Sequence, residues 1–297
     1  MKLPMLLILA TAGCSSAPQR AGTFDVHLHG SSDPAAQLAV LRAAGVDTVA
    51  VSTSWDDQQR YRSGDSLRVL HGLMFPCPRG KVPYSLQPCH ADGREWPQPA
   101  WVERQVEAGK IDFLGEVLGQ YYGISPSDPR MFPYYAIAER HDLPVGIHTG
   151  SAGPGHGSPD FREELGNPAL LRPALEAYPR MRVWLMHAGV PFLDEAIALM
   201  QDHPQVHADL SVINNPDIVP PPAFAAIITK LFEAGLGDRI MFGTDNADVA
   251  KVRASLDALP LTATQKQAIL HGNAARFFAR RATAPAPAIP PPPLPGP

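Results

Sequence analysis

The chain has 297 residues, 45% of them hydrophobic, enough for one large core or two ordinary ones. Its formal net charge is -4, and no basic block stands out, so composition carries no electrostatic footprint for nucleic acid.

Residues 1–13 read as an export signal, with Lys2 followed by the apolar run LPMLLILATAG. That run is too short to span a bilayer. The stretch TAGC resembles a bacterial lipobox, which would make Cys14 the lipidated first residue, although Thr11 stands where leucine is usual. An ordinary cleavage site at Ala10–Ala12 is the other reading. Both export the protein to the periplasm. The first attaches it to a membrane through the lipid alone, with residues 14–21 as a polar tether.

Residues 23–29, TFDVHLH, form the first predicted strand, and residues 34–45 the helix after it. Further strands are expected at 46–52 and 66–75, followed by an irregular insertion at 76–99. That insertion holds Cys77 and Cys89, which an oxidising compartment would join in a disulfide. A Cys/His zinc site with His90 lacks a fourth ligand. A helix at 99–109 leads to a strand at 110–117, and a helix at 129–141, with Pro133 in its first turn, leads to a strand at 143–150. After the glycine-rich loop 151–166, helices at 168–179, 192–204 and 221–235 alternate with strands at 181–189, 205–211 and 238–246. Two helical stretches close the fold at residue 278. Eight apolar strands alternating with helices predict an α/β fold, a single-domain (β/α)8 TIM barrel over residues 22–281. An open doubly wound sheet would want a glycine fingerprint after the first strand, and HGSSDP is not one. The end, 282–297, reads as a solvated, disordered polyproline-like tail.

The ionisable residues of these strands gather at one end. Alternation puts Asp25, His27 and His29 on one face of the first strand. Glu116, His148, His187 and Asp245 stand at the ends of the fourth, fifth, sixth and eighth strands. Catalytic groups of a barrel sit at the C-terminal strand ends, and imidazole with carboxylate suits zinc and its first-row neighbours. Four histidines and two carboxylates exceed the needs of one tetrahedral ion. The expectation is two ions, with His27, His29 and Asp245 on one, His148 and His187 on the other, and Glu116 between. Zinc is favoured; manganese, nickel or iron would also suit these ligands. His71, His203, His207 and His271 lie away from that end, and His90 and His141 read as surface residues.

The ordered set DVHLHG, GEV, GIHTG, LMHAG and GTDN resembles the amidohydrolase superfamily, and the closing ILHGNAARFF is similar to its amidohydrolase-2 branch of metal-dependent hydrolases. The resemblance covers about residues 22–280. It implies a distorted (β/α)8 barrel with a mono- or binuclear centre on His27, His29, Glu116, His148, His187 and Asp245. Many binuclear members carry a carboxylated lysine on the fourth strand. Here Glu116 stands there, and GEVLGQYYGI instead resembles TatD-type and some phosphotriesterase-like members.

The expected reaction is hydrolysis of an ester, lactone, amide or phosphoester of a small-molecule substrate by a metal-activated water, with Asp245 as general base. Asp25 is expected to orient a ligand imidazole or support its strand, and Asn246 to support the site or simply continue the loop. His156, Tyr121 and Arg162, with Tyr122, are candidate substrate contacts. The alternatives are a mononuclear decarboxylase, a TatD-like nuclease or phosphoesterase, and a metal-binding lipoprotein without enzymatic activity.

Overall fold

The computed structural model describes residues 22–64, 66–77, 89–90, 94–152 and 158–281. The predicted signal and tether with Cys14, the proline-rich tail and His156 lie outside the described residues.

The strands are β1 (Thr23–His29), β2 (Val46–Thr53), β3 (Arg68–Phe75), β4 (Phe113–Val117), β5 (Pro144–Ile147), β6 (Arg182–Leu185), β7 (Val206–Asp209) and β8 (Ile240–Met241). Each pairs in parallel with the next, in the order β1 to β8. A bond from Val26 N to Phe242 O, 3.0 Å, draws β1 against the segment after β8 and brings the barrel round on itself. Parallel neighbours need long crossovers. These carry α1 (Pro34–Ala43), α2 (Trp55–Gln58), α3 (Pro99–Glu107), α4 (Phe132–Arg140), α5 (Arg172–Ala177), α6 (Leu193–Asp202) and α7 (Pro221–Glu233), and α8 (Val249–Asp257), α9 (Ala263–Gln267) and α10 (Asn273–Phe278) follow β8. Helix α1 shows the local logic. Asp33 caps it by accepting from Ala36 N, Pro34 opens its first turn, and Gly45, at φ +81°, turns the chain into β2. Among the described residues, no helix is long and apolar enough to cross a membrane.

Two apolar layers result. Val49, Val51, Val69, Val145 and Val183 face the helices. Phe24, Val26, Ala50, Leu70, Phe113, Trp184 and Met241 fill the barrel and pack on Ala274 and Phe277 of α10. The interior is therefore apolar towards the N-terminal strand ends, which leaves the C-terminal ends to the polar residues. Cys77 and Cys89 form the predicted disulfide, packed with Met74, Leu118 and Tyr121 beside that polar end.

The barrel follows the predicted alternation, but several strands are shorter than expected. β5 and β6 stop before His148 and His187, and β8 keeps only Ile240 and Met241. Left-handed backbone ends β6, with φ 61° at His187 and 51° at Ala188, and turns the chain beyond β8 at Asp245 (49°) and Asn246 (61°), values that no strand accommodates.

A second departure concerns Asp25, whose predicted place beside the histidines on one face is not what forms. Asp25 pairs with Val49 and Leu28 with Val51, so three steps along β1 match two along β2. Residues level in a parallel pair share a face, and both valines face the helices. The extra residue is a bulge that lets His27 and His29 face inward while Asp25 falls on the other side. The same device recurs in β4, where Leu114 pairs with Val145 and Val117 with Ile147, with Gly115 and Glu116 between them. His90, expected at the surface, is 3% exposed, its ring edge-on to Trp101. His141, also expected there, is half-buried, with Nε2 3.0 Å from Glu103 Oε1.

Candidate metal centre

Four histidine rings share one hydrogen-bonding plan. His29 Nδ1 lies 3.3 Å from Ser52 O, His187 Nδ1 3.2 Å from Ser211 O, and His148 Nδ1 2.7 Å from Gln120 Oε1. The first two partners are carbonyls and accept only, so Nδ1 carries the hydrogen. The Gln120 amide is oriented by its own bonds: Nε2 donates to Gly150 O at 2.6 Å and Glu163 O at 3.3 Å, which leaves Oε1 to accept. His27 Nδ1 lies 3.2 Å from Asp209 Oδ2 and 2.9 Å from Ser211 Oγ, and that hydroxyl donates to Asp209 Oδ1. Every ring thus spends Nδ1 on the scaffold and keeps Nε2 available as a ligand.

The Nε2 atoms converge on two carboxylates. His29 Nε2 is 2.9 Å from Asp245 Oδ1 and 3.4 Å from Glu116 Oε2. His148 Nε2 is 4.0 Å from Glu116 Oε1. His27 Nε2 is buried with no hydrogen-bond partner, 3.9 Å from both Glu116 Oε1 and Asp245 Oδ1. Within this cluster three sets have ligand atoms within 4.8 Å of one another: His27 with His187 and Asp245, His27 with His29 and Glu116, and Glu116 with His148 and His187. An orphaned buried nitrogen is costly unless something occupies its lone pair, and this donor set suits a divalent first-row metal. The residues therefore fit the ion expected from the sequence. The cluster opens to solvent on one side, since the side chains of His29 and Asp245 are 13% and 24% exposed against 0% and 1% for His27 and Glu116.

The electrostatics match this crowding of opposite charges. Burial opposes protonation of His27, but the carboxylates of Asp209, Asp245 and Glu116 outweigh it and raise its pKa to about 10. Burial alone would raise Asp245, yet the hydrogen bond and charge of His29, with His27 and His187, hold it far below the usual carboxylate range. Burial, reinforced by His187 and His27, pushes His148 well below the ordinary imidazole value. A metal cation would replace the protons in balancing these carboxylates.

The structure brings His27, His29, Glu116, His148, His187 and Asp245 together. Asp25 supports backbone: its Oδ1 accepts from His27 N at 3.1 Å and Thr244 N at 3.0 Å, and its Oδ2 from Thr244 Oγ1 at 2.6 Å. Asn246 Oδ1 accepts from His29 N at 3.0 Å and Gln37 Nε2 at 3.3 Å. With the bond from Asp245 N to His27 O, 2.8 Å, these contacts hold the left-handed turn that presents Asp245. Tyr121 is buried with its hydroxyl 3.3 Å from His148 Nε2. Arg162 is exposed, and its backbone N–H donates to Gln120 O.

Two residues that the sequence reading passed over hold the rings. Asp209, fully buried at the end of β7, accepts from Trp184 Nε1 at 3.2 Å and from the backbone of His187 and Ser211 at 3.0 Å each, besides facing His27. It stands at a C-terminal strand end like the ligands, and that position was its signal. Gln120 has no ionisable group and gave none.

A family model described as amidohydrolase matches residues 99–280. An uncharacterised TIM-barrel protein from Bordetella bronchiseptica is similar in fold, with TM-score 0.62 and 16% identity over 86% of this chain and 98% of that one. A probable 2-pyrone-4,6-dicarboxylic acid hydrolase from Acinetobacter baumannii gives 0.61 and 13% over 86% and 99%. A 5-carboxyvanillate decarboxylase from Sphingomonas paucimobilis gives 0.57 and 14% over 87% and 99%. No curated protein matches.

Proposed function

The chain belongs to the amidohydrolase family, and from that premise we propose that it is a divalent-metal-dependent hydrolase of a small molecule carrying an ester, lactone, amide or phosphoester bond. The observation that carries this is the convergence of the Nε2 atoms of His27, His29 and His148 on Glu116 and Asp245, with His187 in two of the close sets and His27 Nε2 left without a hydrogen bond. His27, His29 and Asp245 would hold one ion, His148 and His187 a second, with zinc the preferred metal. Glu116 belongs to two of the three close sets in this cluster and would help to hold the metal.

When bound, such ions polarise a carbonyl or phosphoryl oxygen and make a water more acidic. Asp245, ionised and at the exposed rim of the cluster, takes the proton of the attacking water and returns it to the leaving atom. The bonds from Asp245 N to His27 O and from His29 N to Asn246 Oδ1 hold the turn that aims that carboxylate. The Tyr121 hydroxyl is kept protonated by burial and the charge of Glu116, and it supplies an O–H donor to a substrate oxygen beside His148. The Cys77–Cys89 disulfide supports export to the periplasm, where such bonds persist. On this reading Cys14 carries the lipid.

The test is an activity screen of the zinc- and manganese-loaded protein against lactones, amides, phosphoesters and aromatic carboxylic acids, with metal per chain measured by elemental analysis. Hydrolysis that falls about 10²–10⁴-fold in Asp245→Asn, metals retained, supports the assignment. Full turnover in that variant refutes the base. Release of carbon dioxide from the acids with one ion per chain would replace hydrolase by decarboxylase.

A further inference from the structure

At the end of the barrel opposite the histidines, a cavity of about 240 Å³ lies between the N-terminal ends of β6 and β7 and helix α10. Arg182, His207, Arg276, Phe277 and Arg281 line it with the Pro204–Gln205 turn, so three guanidinium groups and an imidazole face it and no carboxylate does. Asp142 is shared by two of the cations, paired with Arg182 at 3.0 Å and Arg281 at 2.6 Å, so one carboxylate answers two charges.

The donors are unequally spent. Arg182, 5% exposed, is committed to Phe277 O, Ala279 O and Asp142 O, and it serves to stiffen the wall. Arg281 uses Nε on Asp142 and Nη2 on Arg180 O, and Arg276 uses Nη2 on Asp238 O and Asn273 Oδ1. Among the described residues, Arg276 Nε and Nη1 and Arg281 Nη1 make no hydrogen bond. His207 lines the cavity with them, its Nδ1 buried in the wall. Guanidinium donors left over at the wall of a cavity suit an oxyanion, because guanidinium pairs with phosphate through charge-assisted bonds.

We propose that this cavity is an anion site for a phosphate-class oxyanion, held by Arg276 and Arg281. The site lies away from the metal cluster and does not depend on the reaction assigned there.

Thermal unfolding of the metal-loaded protein in inorganic phosphate, against chloride at equal ionic strength, tests it. The midpoint is expected to rise saturably, on the order of 5 °C at a hundred times Kd. Arg276→Gln and Arg281→Gln should each weaken the apparent affinity at least about tenfold. Asp245→Asn should leave it unchanged, because phosphate caught at the metal cluster would respond to that variant instead. Equal shifts in phosphate and chloride, or a shift indifferent to both arginine variants, overturns the site. Co-sedimentation with phosphatidylglycerol vesicles, reduced by the same two substitutions, would identify a lipid headgroup as the source. Phosphate binding without vesicle binding would identify a free oxyanion.

Discussion

Asp209 Oδ2 lies 3.2 Å from Nδ1 of His27, and that contact decides which nitrogen of the ring faces Glu116. The same carboxylate accepts from Trp184 Nε1, His187 N and both polar groups of Ser211. One buried acid thus ties β6, β7 and the first histidine into a single frame. Orientation of a ligand imidazole through its second nitrogen tunes both its direction and its basicity.

Asp209→Asn should therefore act on metal binding without touching a ligand. An amide offers one accepting oxygen where the carboxylate offers two, so at least one of these donors would face an NH₂ group. Metal affinity should fall about 10–100-fold. Competition with a chromogenic chelator measures it, and an affinity equal to that of the parent protein would show that the His27 ring needs no such partner.

Gln120 does the corresponding work for His148, and its two halves can be separated. Gln120→Glu keeps an oxygen for His148 Nδ1 but loses the donor to Gly150 O, whereas Gln120→Leu loses both. Elemental analysis after dialysis should find less metal in the leucine variant, with the loss confined to the His148–His187 side. The glutamate variant should retain more. Equal retention in the two would remove Gln120 from any role in setting the His148 tautomer.

How much of this was legible in the sequence depends on what each residue answers to. The strand alternation and the ionisable residues at strand ends are local signals, and they located the barrel and all six members of the cluster. Asp25 misled because period-two reasoning assumes an unbroken ladder, and one bulge between Asp25 and Leu28 reverses the face. Asp209 carries the same local mark as a ligand. That it orients instead of ligating is set by His27, 182 positions away in the chain, which no window of sequence contains. Gln120 is a neutral amide whose meaning comes entirely from its three partners.

The His71–Asp112 pair gives a pH-dependent term remote from the cluster. His71 Nδ1 is 3.4 Å from Asp112 Oδ2, with side chains 24% and 27% exposed. The hydrogen bond to Asp112 raises the His71 pKa above 6.5. Burial raises that of Asp112, but the bonds from the His71 ring and N–H outweigh it and bring it below 3.8. The histidine contribution is complete below 6.5 and is lost as pH rises through the higher folded value. The aspartate contribution is complete above 3.8 and is lost as pH falls through the lower folded value. Asp112→Asn should thus cost most between these limits, about 1 kcal/mol, and less above pH 8. Urea midpoints of both proteins at pH 5 and pH 9 check it, and an equal difference at the two values would contradict the pairing.

Gly146 tests the link between packing inside the barrel and the metal frame. A Cβ on this glycine of β5 would stand 2.4 Å from Trp184 Cζ2 and 2.7 Å from Met186 Cε. Trp184 is fully buried against Phe113 and Phe277, so its ring has little room to retreat. Gly146→Ala should cost about 1–3 kcal/mol through overpacking. Because Trp184 Nε1 also donates to Asp209, a displaced indole disturbs the carboxylate that orients His27, and metal affinity should fall along with stability. Trp184→Phe separates the two effects, since it relieves the crowding but deletes the donor. The double variant should recover part of the stability lost to Gly146→Ala and none of the lost metal affinity. Calorimetry and chelator competition on the three variants resolve this, and full recovery of metal affinity in the double variant would show that the indole N–H contributes nothing to the frame.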